Sequence, residues 1–375
     1  MSLVSLVRCP SYRRQELEPA LERLLAPVCR IQELVRPGMR VLLKPNLLGS
    51  HPPRQRVTTD PALVRAVGRL VKAAGGRLAI GDSPALESTS RVARKTGMAQ
   101  VAAELGGEIV EFAPPVAVPP HPDALFRHLE LAEPVVRADL IINLPKLKTH
   151  CQMLLTLGVK NLFGCVVAQR KAEWHHMVGR DRERFAALLL DIHRAAAPAL
   201  TILDGVWGME GRGPSNGRPR ELGILAASRD ALALDLAICD LLGVPRRSLP
   251  LYRAAAARGM LPQAIELAGD DPVRLTPSPP WELPRLEAVE LLPGFLDRLG
   301  GRFLTSRPAA RPGACRQCGK CLAICPAGAL ELTPAGPRFD YERCIRCYCC
   351  QEVCPHDAIG FKRGLLLRIM QALGR

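Results

Sequence analysis

From residue 39 to residue 242, short apolar runs alternate with longer stretches whose apolar residues recur every three or four positions. M-R-V-L-L-K (39–44) has the pattern of a buried strand and stops at Pro45. Residues 61–74 have helical spacing, open on a proline and end at Gly75-Gly76. R-L-A-I-G-D (77–82) reads as a second strand, 92–105 as a helix and 108–112 as a third strand. A Pro-rich connection leads to D-L-I-I-N (139–143), a fourth strand. Residues 182–196 are helical, 199–204 and 222–226 are a fifth and a sixth strand, and 230–242 are a helix. Strands alternating with helices predict βαβ crossovers, hence an α/β fold with a mostly parallel sheet and helices on both faces. From about residue 245 to 303 the chain is irregular and Pro-rich, and T-S-R-P-A-A-R-P-G has the composition of a linker. The pattern therefore predicts an α/β body over 1–300, a linker over 301–312, a small α+β domain over 313–362 and a tail over 363–375.

In parallel α/β sheets, ligands collect where the strands end at their carboxyl edge. Here those ends are polar. The first carries Lys44 and Asn46, and the second Asp82 and Ser83. The fourth runs into Lys146, Lys148 and His150, and the fifth into Asp204 and then Glu210. The chain uses 42 arginines but only nine lysines, and four of the nine (Lys44, Lys146, Lys148 and Lys160) fall in or beside these ends. An ammonium is compact and its pKa is tunable, unlike a guanidinium fork. This predicts a cleft for an anionic small-molecule substrate. Lys146, Lys148, His150 and Asp204 are its candidate catalytic groups. Lys44, Asn46, Asp82, Ser83, Lys160, Asn161 and Glu210 are its candidate binding groups. The plain alternative is solvated lysines at loop ends. Trp174, His175 and His176 form a second dense group, readable as a proton donor or as capping and core histidines. A metal site from His150, His175 and His176 fits no familiar ligand spacing. M-E-G-R-G-P-S-N-G has glycines but neither Walker nor dinucleotide spacing.

Composition narrows the field. A chain of 375 residues, 48 % of them hydrophobic, has room for two or three domains. No apolar run reaches the length of a membrane span, and the N-terminal M-S-L-V-S-L-V is too short for a signal sequence. Fourteen cysteines without an export signal predict a reducing, cytoplasmic setting. The net charge of +15 comes from scattered arginines, and with 4 % aromatics there is little to stack on bases, which argues against nucleic acid. The charge suits an acidic redox partner or an anionic substrate. The tail F-K-R-G-L-L-L-R-I-M-Q-A-L-G-R is a basic amphipathic segment that docks on its own domain or on a surface.

The cysteines are the sharpest signal. C-R-Q-C-G-K-C-L-A-I-C-P and C-I-R-C-Y-C-C-Q-E-V-C-P each fit C-x2-C-x2-C-x3-C-P. Three thiolates spaced by two residues converge from one tight loop, and the fourth leaves on a short helix closed by proline. The run resembles that of bacterial-type two-cluster ferredoxins, where the fourth cysteine serves the other cluster. The resemblance implies two [4Fe-4S] clusters with crossed ligands. The first takes Cys315, Cys318, Cys321 and Cys354; the second takes Cys344, Cys347, Cys350 and Cys325. Cys349 breaks both spacings and reads as a small buried hydrophobe. A zinc ribbon usually has two separated C-x2-C pairs, and a disulfide framework implies secretion. Two clusters imply an external low-potential electron donor or acceptor.

The body also has a recognisable character. V-L-L-K-P-N, G-D-S-P, I-I-N-L-P-K-L-K-T-H, L-G-V-K-N-L-F-G and D-G-V-W-G-M-E-G-R-G-P, followed by A-S-R-D-A-L-A-L-D, resemble the domain-of-unknown-function 362 family over about residues 41–269. Many members of that family carry a C-terminal two-cluster ferredoxin. Where the family pattern has D-P-V-A-V-D, this chain has D-A-L-A-L-D, which preserves the helix start. Two functions remain open. One is an iron–sulfur reductase acting on a double bond of an anionic organic substrate. The other is a non-catalytic electron-transfer or assembly subunit that docks a redox enzyme. No flavin or nicotinamide motif is present.

Overall fold

The computed structural model describes residues 1–284 and 307–362. The expected end of the body (285–300), the first half of the linker (301–306) and the tail (363–375) lie outside the described residues. The chain divides into two units: Met1–Lys171 with Asp181–Leu283, and Ala172–Arg180 with the C-terminal region. The inclusion of Ala172–Arg180 in the second unit has no counterpart in the sequence pattern.

The first unit is built on a sheet wider than the six apolar runs suggest. In chain order its strands are β1 (Ser2–Arg8), β2 (Arg40–Pro45), β3 (Arg77–Ile80) and β4 (Glu108–Ile109). A separate ladder of β5 (Pro115–Ala117) and β6 (Glu130–Ala132) follows. Then come β7 (Leu140–Leu144), β8 (Lys146–His150), β9 (Leu154–Thr156), β10 (Leu200–Glu210), β11 (Arg218–Ser228) and β12 (Ile265–Gly269). The spatial order is β12-β1-β11-β10-β7-β2-β3-β4, with β8 beside β10 and β9 beside β8. The ladders from β4 through β3, β2 and β7 to β10 are all parallel, as are β1–β12 and β8–β10. Only β1–β11, β10–β11 and β8–β9 are antiparallel, so the sheet is mostly parallel, with an antiparallel hairpin inserted.

Alternate strand residues serve two cores. Val7, Val41, Leu43, Ile80 and Ile142 pack with Leu17, Leu21, Leu24, Leu63, Val67 and Val92, which come from helices Arg14–Leu25, Pro61–Ala73 and Thr89–Thr96. Leu6, Leu42, Ile141 and Leu203 point the other way and are equally buried, and helix Ala231–Leu241 packs there on β1 and β11. Each such aliphatic side chain contributes about 2 kcal/mol. Asp60 caps the helix Pro61–Ala73 by accepting the Ala62 N–H, and Asp230 likewise caps Ala231–Leu241.

Four local readings change. The apolar N-terminus is a strand, β1, lying between β11 and β12. The helix expected over 92–105 is two, because Gly97 sits at φ +82° between Thr89–Thr96 and Met98–Leu105. K-L-K-T-H is a strand rather than a loop: Pro145 cannot donate to a ladder, and beyond it the chain leaves β2 and pairs β10 and β9. The fifth strand continues past Asp204 to Glu210, through an irregularity between Gly205 and Trp207, because β11 folds back to pair it.

In the second unit, β13 (Arg307–Ala310) pairs antiparallel with β16 (Ile359–Lys362), and β14 (Leu330–Thr333) with β15 (Gly336–Phe339). Two short helices, Lys320–Ala323 and Cys349–Glu352, begin within the cysteine runs. Left-handed residues recur at equivalent places in both runs: Gln317 and Arg346, Gly319 and Tyr348, Gly328 and Asp357. The backbone therefore repeats as the sequence does.

Candidate functional site

The lysines at the carboxyl edge of the sheet are buried. Lys44, at the end of β2, has no exposed surface. Its Nζ donates to Asp82 Oδ1 at 2.8 Å and to the Pro45 carbonyl at 3.1 Å. The other Asp82 oxygen accepts the Leu47 N–H at 2.6 Å, and the Ser83 N–H reaches Oδ1 at 2.9 Å. Lys171, which the sequence pattern does not single out, donates to the Ser83 carbonyl. Burial alone raises the Asp82 pKa, but Lys44 and Lys171 outweigh it and hold the carboxyl below its ordinary value. Burial depresses the Lys171 ammonium to about 8 and lifts the nearby Cys165 thiol to about 12. Gly164 makes room for the pair: a Cβ there would stand 1.9 Å from Asp82 Oδ1 and 2.6 Å from Lys44 Nζ.

Lys146, at the start of β8, faces Asp204 across the β8–β10 register. Its Nζ donates to Asp204 Oδ2 at 2.9 Å and to the Tyr12 hydroxyl at 2.8 Å, and that hydroxyl donates to Asp204 Oδ1 at 2.6 Å. The Asp60 N–H also binds Asp204, at 2.8 Å. Arg56 pairs with Asp60 at 2.8 Å and lies over the rings of Tyr12 and Trp207, 5.2 and 5.1 Å from their centres. Burial pulls the Lys146 ammonium below its ordinary value, against the pull of Asp204. Burial, and then the Asp204 charge, push the Tyr12 phenol well up.

Asparagines connect these pairs. Lys148 Nζ donates to Asn46 Oδ1 at 2.8 Å and to the Val57 carbonyl at 3.0 Å. Asn46 Nδ2 donates to Asn161 Oδ1 at 2.9 Å, and Asn161 Nδ2 donates to Asn143 Oδ1 at 2.8 Å and to the Lys44 carbonyl at 3.3 Å. Lys44, Asn46, Asp82, Ser83, Lys148 and Asn161 thus belong to one network, and the loop between Asn46 and Asp60 ties it to Lys146 and Asp204. Other expected site residues are engaged elsewhere. Glu210 lies between Arg218 and Arg220 and accepts the Glu282 N–H at 3.1 Å. Lys160 sits 5.7 Å from the ring centres of both Phe163 and Phe185. His150 Nδ1 accepts from the Gln152 and Met153 N–H groups at 3.1 and 3.3 Å, which leaves its proton on Nε2. Trp174 and His175 are buried and His176 is exposed, all three in the second unit. Asn143 is one of the polar strand-end residues that the sequence marks, whereas Tyr12, Arg56, Asp60 and Lys171 were missed from sequence. Of these, Lys171 carried a usable signal, as one more lysine in a lysine-poor chain.

In the second unit, Cys315, Cys318, Cys321 and Cys354 line one cavity with Arg316, Gly319 and Lys320. Cys350 lies within electrostatic reach of Cys347, Cys344 and Cys325, and of Cys321 from the first group. Backbone N–H groups aim at sulfur: Gln317 at Cys315 Sγ (3.4 Å), Ala329 at Cys325 Sγ (3.3 Å) and Ala358 at Cys354 Sγ (3.2 Å). Four convergent soft thiols, with amide dipoles turned toward them, fit an anionic iron–sulfur cluster. Cys349 Sγ lies 3.9 Å from the Cys347 carbonyl and also meets the Cys347 side chain.

Comparison with known proteins agrees with both halves. Residues 41–240 match the family described as Domain of unknown function (DUF362), and residues 314–358 match the 4Fe-4S dicluster domain. The chain is 44 % identical over 264 residues to the thylakoid-associated protein sll1697 of Synechocystis sp., covering 70 % of this chain and 82 % of that protein. It is 39 % identical over 76 residues to NADH-quinone oxidoreductase subunit I of Pelobacter propionicus, covering 17 % of this chain and 41 % of that one. Among solved structures, the lactate racemase apoprotein from Thermoanaerobacterium thermosaccharolyticum superposes with a TM-score of 0.42 at 15 % identity, over 63 % of this chain and 56 % of that one. No helix among the described residues is long and apolar enough to cross a membrane.

Proposed function

The chain belongs to the DUF362 family and carries a 4Fe-4S ferredoxin domain behind it, and on that footing we propose that it is an iron–sulfur oxidoreductase acting on an anionic organic substrate at the carboxyl edge of the body sheet. The ferredoxin part is an electron-transfer iron–sulfur domain. Two [4Fe-4S] clusters, in the crossed sets led by Cys315 and Cys344, supply electrons singly when bound. The observation that carries the reading is the gathering of Lys44, Lys146 and Lys148, all at most 1 % exposed, at the edge where the parallel strands end. Ammonium groups so poorly solvated favour a neighbouring anion. Lys146, whose ammonium is held below its ordinary pKa by burial, serves as the acid when a double bond is reduced, with Tyr12 and Asp204 holding it in place. His150 can give a proton from Nε2. The setting is the reducing cytoplasm, and attachment to a membrane surface through a partner agrees with the name of the Synechocystis relative.

A second reading has its own support. The ammonium groups of Lys44, Lys146 and Lys148 already hydrogen-bond to protein atoms, and the Pelobacter relative of the C-terminal part is a subunit of a larger redox assembly. On that reading the body docks an enzyme and the lysine network is scaffolding.

Two measurements decide. Anaerobic purification should give about eight irons per chain, and zinc without iron would end both readings. The photoreduced chain is then mixed with a panel of unsaturated and oxo carboxylates and phosphate esters. Reoxidation that disappears in Lys148→Met, with both cluster signals intact, supports the enzyme. Reoxidation by no member of the panel, with normal transfer to a partner protein in Lys148→Met, supports the carrier.

A further inference from the structure

We propose that electrons enter through the first cysteine cradle, at Cys318, from an acidic one-electron carrier protein. The inference rests on the cluster reading above and adds to it a place and a partner.

Exposure is the first observation. Of the nine cysteines in the two runs, Cys318 alone is exposed; Cys315, Cys325 and Cys344 are half-buried and the rest are buried. Transfer between proteins falls steeply with distance, so the ligand nearest solvent marks the port. Charge is the second. Among the described residues, the cavity formed by Cys315, Cys318, Cys321 and Cys354 is lined by Arg316, Lys320 and His356 and by no carboxylate. The second cradle differs: the Glu352 carboxylate acts on Cys347 there, while Arg346 acts on Cys344. Arg316, next to the exposed thiol, is itself exposed and gives the mouth of the first cradle a positive charge. A surface of that sign attracts a partner of the opposite sign and repels a basic one.

Rigidity is the third observation. Gln317 holds φ +56°, its side chain donates to the Thr333 and Pro334 carbonyls at 2.8 and 3.3 Å, and its N–H points at Cys315 Sγ. The exposed loop is therefore fixed before a partner arrives, which lowers the ordering cost of docking. In the encounter one electron passes from the reduced carrier to the oxidised cluster. The carrier is oxidised by one electron, the cluster is reduced by one, and no bond or proton need move.

The test uses the full reconstituted chain and two reductants: reduced flavodoxin as the acidic protein probe, and the methyl viologen radical cation as a small cationic one. Cluster reduction is followed by stopped-flow absorbance, with iron content and EPR taken on every variant. The flavodoxin rate should fall about tenfold from low to high salt, and about tenfold again in Arg316→Glu at low salt. The viologen rate should hold or rise in that variant. Arg316→Gln, which keeps the loop polar, should lie between. Arg338→Glu, an exposed position on the β14–β15 hairpin, should leave the flavodoxin rate within twofold. Full iron with a flavodoxin rate indifferent to salt and to Arg316 overturns the docking site alone. A chain that takes up no iron overturns the cluster reading beneath it.

Discussion

Gly164 shows how little room the lysine edge leaves. A methyl group there collides with Asp82 and Lys44, and one of the two must move. Gly164→Ala should therefore cost about 3 kcal/mol, the scale of breaking a buried pair, as read from denaturant melts. A loss under about 0.5 kcal/mol would mean that the turn yields instead. Lys171 makes a different prediction. Its folded pKa, about 8, lies below the ordinary 10.5, so between those values the unfolded chain binds more protons than the folded one. Its contribution to stability is thus constant below pH 8 and grows more favourable as pH rises toward 10.5. The free amine should also acylate half-maximally near pH 8, well before the surface lysines, when reactivity is mapped by peptide mass spectrometry across a pH series. Lys44, Lys146 and Lys148 were legible because a strand end is a place that the sequence marks. Tyr12 was not, because its partner Asp204 lies 192 residues away and nothing local announces the pair.

The element hardest to read was β8. All five of its residues are buried, yet K-L-K-T-H has no apolar face to alternate. Its polar side chains are accommodated by Asp204, Tyr12, Asn46 and the Val57 carbonyl rather than by solvent. Tyr12→Phe removes the hydroxyl that both Lys146 and Asp204 use, and should cost about 2 kcal/mol while leaving the iron–sulfur absorbance unchanged. β1 goes unmarked for the opposite reason: its apolar run is too short for a signal sequence, and no helix read beside it marks it as one of the alternating strands. Its pairing with both β11 and β12 makes it one. Replacing Val4 and Leu6 together by Ser should prevent cooperative unfolding of the body, since both are at most 1 % exposed. Retention of a sharp thermal transition would show β1 to be dispensable. The apolar strands β2, β3 and β7, by contrast, fall where their runs predict, because compact aliphatic runs need no distant partner to be recognised.

At the scale of the molecule, the alternation of strand and helix gave the fold class, and the cysteine spacing gave the ferredoxin. The composition of the two units was out of reach, because it depends on which surfaces meet and not on any run of residues. Ala172–Arg180 lies within the stretch that matches the DUF362 family, yet it belongs to the unit that holds the cysteines, where Arg180 donates to the Cys344 carbonyl at 3.0 Å. The ferredoxin is consequently not a detachable cassette. A gene cut at the linker would part Trp174 and Val178, both buried, from the unit that contains them. Such a fragment should show red-shifted tryptophan emission and a tendency to aggregate, and a cut that keeps Ala172–Arg180 with the cysteines would have to interrupt the body's own sequence.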